Sequence, residues 1–142
     1  MENKFIKKND DFFKSDKIID TFVFNHQSFD VIVNHWSFCY GKHKEEILNL
    51  LGNKGNNWNI YIRFKPSFPN FDKLPDDYDA FDVIDFSGGA TFYEPDGQNK
   101  IYGNDYMHYG DDDVENCDNF DENNRCFIDA HEIIEKLEEL CK

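Results

Sequence analysis

The chain has 142 residues, 29 acidic and 15 basic side chains and a net charge of −14. That length suits one domain with a real core, and a 17% aromatic content argues against disorder despite the charge. No apolar run reaches the length of a membrane helix, the first residues lack a signal-peptide core, and the acidic balance disfavours direct binding to DNA or RNA.

Taken in chain order, residues 1–17 are polar apart from Phe12-Phe13 and read as a mobile arm or a short helix. Residues 18–24 and 29–40 are rich in β-branched and aromatic side chains, and the turn-forming Asn25-His26-Gln27-Ser28 between them predicts a hairpin. A short helix is expected over 45–51, stopped by Gly52. Residues 58–64 alternate strictly, which predicts a strand with Trp58, Ile60, Ile62 and Phe64 on one face and Asn59, Tyr61 and Arg63 on the other.

Pro66, Pro69 and Pro75 then punctuate a long connection. Strands are expected at 81–86 and 90–93, a turn at Glu94-Pro95-Asp96-Gly97, a returning strand over 101–109, and an acidic loop over 110–125. A last helix is expected after Asp129 as N-cap, with Glu132 completing a capping box and Ile133, Ile134, Leu137, Leu140 and Cys141 as its buried stripe. This order is not an alternating βα pattern. It predicts a single α+β domain: an antiparallel sheet with a short middle helix and a C-terminal helix packed on one face.

The charge is concentrated. Residues 72–122 hold 16 acids against Lys73 and Lys100, for −14, while the rest of the chain has 13 acids and 13 bases. Such a field attracts cations and basic protein surfaces. Cys39, Cys117, Cys126 and Cys141 match no zinc spacing and read as reduced core thiols, in keeping with a cytoplasmic protein.

Three constellations could carry chemistry. Asp105, His108 and Asp111 recur every third residue. If the chain curls after His108 they suit Zn²⁺, Mn²⁺ or Fe²⁺; otherwise they belong to a solvated acidic loop. Asp111, Asp113, Glu115, Cys117, Asn119 and Glu122 fall at calcium-loop spacing, but Asn116 stands where the loop needs Gly and the flanks are not helical. Ser87-Gly88-Gly89 lacks the Lys of a phosphate loop and reads as a tight bend.

The middle of the chain has a familiar order: the 58–64 strand, Asp76-Asp77-Tyr78-Asp79, then Gly88-Gly89-Ala90-Thr91-Phe92, then Gly103-Asn104-Asp105 through His108, Gly110 and Asp111. Over residues 58–113 this resembles a group of small phage and prophage proteins with an H-G-G-x-T-F-like element followed by G-x-D-x-x-H-x-G-D. Ser87 stands where that pattern has His, so any role of that His is missing here. The resemblance implies a phage-type origin more than a mechanism.

Charge and resemblance together lead to an expected function. The protein would be a nucleic-acid mimic that binds and inhibits a basic host defence protein, such as a nuclease or CRISPR effector. The expected binding surface is Asp76, Asp77, Asp79, Asp105, Tyr106, His108, Tyr109, Asp111, Asp112, Asp113, Glu115 and Phe120. No catalytic residue, membrane or cofactor is expected beyond a weakly bound divalent cation. The alternative is a small-ligand or metal-dependent site on Asp105, His108 and Asp111 that sequesters or hydrolyses a nucleotide-like molecule.

Overall fold

The computed structural model of the chain describes residues 2–37, 55–105 and 112–142. Six strands form one sheet: β1 (Ile6–Lys7), β2 (Ile18–Asn25), β3 (Phe29–Ser37), β4 (Asn56–Phe64), β5 (Phe92–Asp96) and β6 (Asn99–Asp105). Two helices follow, α1 (Asp112–Glu115) and α2 (Arg125–Leu140). The strand order is β1-β2-β3-β4-β6-β5, and every neighbouring pair is antiparallel. The α+β class with a C-terminal helix is therefore the observed one. The middle helix expected at 45–51 and Cys39 lie outside the described residues.

β4 organises the molecule. Its register places Phe64, Ile62, Ile60 and Trp58 beside Phe29, Val31, Val33 and His35 of β3. Those β4 side chains are fully buried and form the core with Ala130, Ile133, Ile134 and Leu137 of α2. The alternation predicted for 58–64 holds, but the second face is not open to water. Asn59 and Arg63 are also buried, because residues 8–18 lie across that face.

The expectation of a loose arm or short helix over 1–17 gives way to a wrap around the sheet edge. Phe5 joins the core beside Phe120 and His131, β1 pairs with β2, and the Phe13 ring then lies tilted against Tyr61, centroids 4.4 Å apart, on the far face. Two aromatic anchors on opposite faces hold a segment whose polarity alone reads as an unanchored arm. The Lys4 backbone N–H donates to His131 Nε2 at 3.1 Å while His131 Nδ1 lies 2.7 Å from the Phe127 carbonyl. A carbonyl only accepts, so the buried ring carries its proton on Nδ1.

Several boundaries differ from the sequence reading. Residues 81–86 form no strand; Phe81, Ile84 and Phe86 bury directly against the core. The turn expected at Glu94-Pro95-Asp96-Gly97 is instead the two-residue loop Gly97-Gln98, with Asp96 paired to Asn99 and Gly97 at φ 60°. Positive φ at the first loop position suits the strand twist of a hairpin, and Pro95 is tolerated because β5 is an edge strand. The strand expected from 90 begins at Phe92, and within the described residues the return strand is Asn99–Asp105.

α2 starts five residues earlier than predicted. Asn124, not Asp129, is the N-cap, and its Oδ1 accepts the Cys126 N–H at 3.0 Å. Cys126 and Phe127 are buried and extend the apolar stripe backward, whereas Leu140 is 49% exposed. Cys126 is a core thiol, and Cys117 and Cys141 are half-buried.

Candidate protein-binding surface

Residues 65–91 connect β4 to β5 with only one short 3₁₀ turn, Phe71–Lys73. Such a loop is held by its side chains. Phe68, Leu74, Phe81, Ile84 and Phe86 all enter the core. β6 supplies a second set of ties through alternate residues on one face, as strand periodicity requires. Lys100 Nζ donates to the Leu74 carbonyl at 2.8 Å, the Tyr102 hydroxyl donates to the Pro75 carbonyl, and Asn104 Nδ2 donates to the Ser87 carbonyl at 3.0 Å.

The acids of this loop all point outward. Asp72, Asp76, Asp77, Asp79, Asp82 and Asp85 are exposed. Among the described residues their one ion pair is Asp76–Lys100 at 3.3 Å. Asp77 Oδ1 also accepts the Ala80 N–H at 2.8 Å, which stiffens the turn. The negative field acts on the neighbouring phenols. Burial and the Asp76 carboxylate raise the Tyr93 hydroxyl above its usual value. Tyr102 is raised well above the usual range by burial, then by Tyr93, Asp76 and Asp77.

The second acidic block is built differently. Asp113 forms a bidentate pair with Arg125, at 3.1 Å from both Nε and Nη2. That hydrogen bonding is the main reason its carboxyl lies below the ordinary Asp value. Arg125 Nη1 also donates to Ser87 Oγ at 3.0 Å, so the corner of the Gly88-Gly89 bend is tied to α2. Asp112 begins α1 and Glu115, its last residue, is half-buried.

Phe120, expected in the binding surface, is half-buried and packs against the core. It stacks on Phe22 at 4.6 Å and meets Phe127 edge-on at 5.0 Å. Asp105 closes β6 through its backbone pairing with Asn59. Tyr106, His108, Tyr109 and Asp111 lie outside the described residues. The calcium-loop spacing meets a helical turn at Asp112–Glu115. Among the described residues no three His, Cys, Asp or Glu side chains converge as metal ligands, and none forms a helix long and apolar enough to cross a membrane.

One network was missed by sequence reasoning. Arg63, on the far face of β4, holds Asp10 in a bidentate pair at 2.7 and 3.1 Å, Asp30 at 3.0 Å and Asp96 at 3.0 Å. Lys65 adds a second cation to Asp30 at 3.0 Å. Burial alone would favour a neutral Arg63, but the hydrogen bonds it donates to Asp10 and Asp30 outweigh it and hold the guanidinium above its ordinary value. Burial likewise opposes ionisation of Asp30, yet Asn25, Lys65 and Arg63 together hold its carboxyl below the usual range. The signal was available in composition: only Arg63 and Arg125 are arginines among the 15 basic residues. Both sit where a planar fork meets a carboxylate, a task lysine does not perform.

The charge of residues 72–122 therefore divides. Asp113 is paired one-to-one with Arg125 and Asp96 lies within ion-pair distance of Arg63, while among the described residues the 72–85 loop has Asp76–Lys100 as its one ion pair. Comparison with protein-family models, with curated proteins and with solved structures finds no match to this chain.

Proposed function

We propose that the protein is an acidic binding module whose 72–85 surface engages a basic protein, of the kind whose Lys/Arg groove normally holds nucleic-acid phosphates. The observation that supports this reading is the set of six exposed aspartates on a loop pinned by Lys100, Tyr102 and Asn104. Like charges held together lower stability, and a pinned loop has little ordering entropy left to lose on binding. Long-range attraction would speed encounter with a basic partner. A phage-type inhibitor of a host nuclease or CRISPR effector is the specific form of this proposal, resting on the sequence resemblance.

The test is capture from host lysate by the wild-type protein and by the Asp76→Asn/Asp77→Asn/Asp79→Asn/Asp82→Asn variant. Asn keeps the side-chain acceptor used by Asp77, so the fold should survive, as circular dichroism would verify. A partner retained at low salt, released at high salt and lost by the variant is expected. If no salt-sensitive partner appears, or the variant keeps it, the proposal fails.

A further inference from the structure

A cavity of about 370 Å³ opens beside the acidic loop, between that loop and the last turn of α2. Its apolar wall is Phe68, Pro69, Leu74, Val83 and Leu140, with Lys73 and Asp82 at its polar side. Leu140 is 49% exposed although it ends the apolar stripe of a helix otherwise buried along that stripe. Such a pocket, next to charges, is the form that an interface anchor site takes.

Its surroundings select the occupant. Asp72 and Asp76 flank the lining segment 73–75 in sequence, and both are exposed. The C-terminal end of α2 brings the negative pole of the helix dipole, and its last turn contains no basic side chain. Lys142, beyond the helix, is engaged with Glu139 at 3.0 Å. An apolar side chain in the cavity would thus have Asp82 and Asp72 on the loop side and the negative helix pole on the other, with Lys73 in the lining and Lys100 already paired to Asp76.

The geometry points to this groove as the anchor pocket for a Lys/Arg-rich segment of a partner protein, which inserts one apolar side chain between Val83 and Leu140. This rests on the acidic-surface reading and adds to it the second determinant, an apolar residue within the basic segment. Charge alone steers; the desolvated anchor supplies the slow dissociation.

Two labelled peptides test it by fluorescence anisotropy at low salt: a short Lys/Arg-rich sequence with one central Phe, and its twin with Ser there. The Phe peptide should bind roughly tenfold more tightly, as burial of part of one aromatic side chain allows. Leu140→Ser should erase that preference while leaving the Ser twin's affinity unchanged, and Leu140→Met should retain it; thermal melts would show all three proteins folded. Equal binding of the twins, or a preference that survives Leu140→Ser, overturns the groove while the acidic surface stands. Failure of both peptides to bind overturns the acidic surface and the groove with it. Self-association of the wild type that Leu140→Ser abolishes would assign the groove to a second copy and likewise overturn the proposal.

Discussion

Arg63 shows how one side chain can decide the state of several others. Its guanidinium faces Asp10, Asp30 and Asp96, contributed by three separate parts of the chain. Replacing it with Met leaves those carboxylates without their shared cation in a largely buried position. The expected cost of Arg63→Met is about 3–5 kcal/mol at neutral pH, measured by urea denaturation. The pH dependence has a definite sign. Asp30 is held below its unfolded value, so its contribution is complete above the unfolded pKa of about 3.9 and is lost as pH falls through the lower folded value. The difference between Arg63→Met and wild type should therefore shrink on acidification below about pH 4. A penalty independent of pH would show that lost packing, not lost charge pairing, dominates.

At the scale of elements, α2 and β6 perform distinct tasks. α2 covers the sheet and is set in place by its cap. Asn124 is fully buried, and besides capping Cys126 it donates from Nδ2 to the Asn119 carbonyl at 3.0 Å. Asn124→Ala should destabilise the fold by about 1–2 kcal/mol, at the upper end for a cap, because the Asn119 carbonyl also loses its donor. A change near zero in chemical denaturation would mean that water replaces both bonds. β6 joins the core to the candidate surface. Its Lys100, Tyr102 and Asn104 reach the 65–91 loop, while on its other face Gly103 lies opposite Tyr61. A Cβ there would collide with the Tyr61 ring, so glycine lets that ring lie against the strand.

At the scale of the whole molecule, paired and exposed acids lie in different parts of the described chain. The Arg63 and Arg125 networks pair acids where the chain is buried or tied, and the exposed loop keeps six aspartates, one of them beside Lys100. The overall −14 should therefore act as a screened repulsion. Raising NaCl from about 0.01 to 0.5 M shortens the Debye length from about 30 Å to a few ångström, so the thermal midpoint of wild type should rise. The rise should be smaller in the four-Asn loop variant. A wild-type midpoint that falls with salt would mean that surface ion pairs outweigh the repulsion.

Some of this was legible without coordinates because it depends on local periodicity. The two-residue alternation of 58–64 located the central strand and its core face, the β-branched runs located the first hairpin, and the three-to-four-residue apolar spacing located the last helix. The exposure of the 72–85 acids follows from charge alone. What local pattern could not reach were contacts made at long separation. Residues 81–86 read as a strand because their apolar content suits one, but a strand needs a free neighbour edge, and here the side chains bury without one. Asp129 has the right cap chemistry, yet Asn124 wins because Cys126 and Phe127 find a core to enter. The sequence by itself determined an antiparallel α+β domain with one acidic segment. Only the tertiary structure decided which acids remain unpaired. That choice depends on where Arg63 and Arg125 meet carboxylates from 12 to 53 residues away in the chain, and separations of that size are set by the packing of the whole sheet.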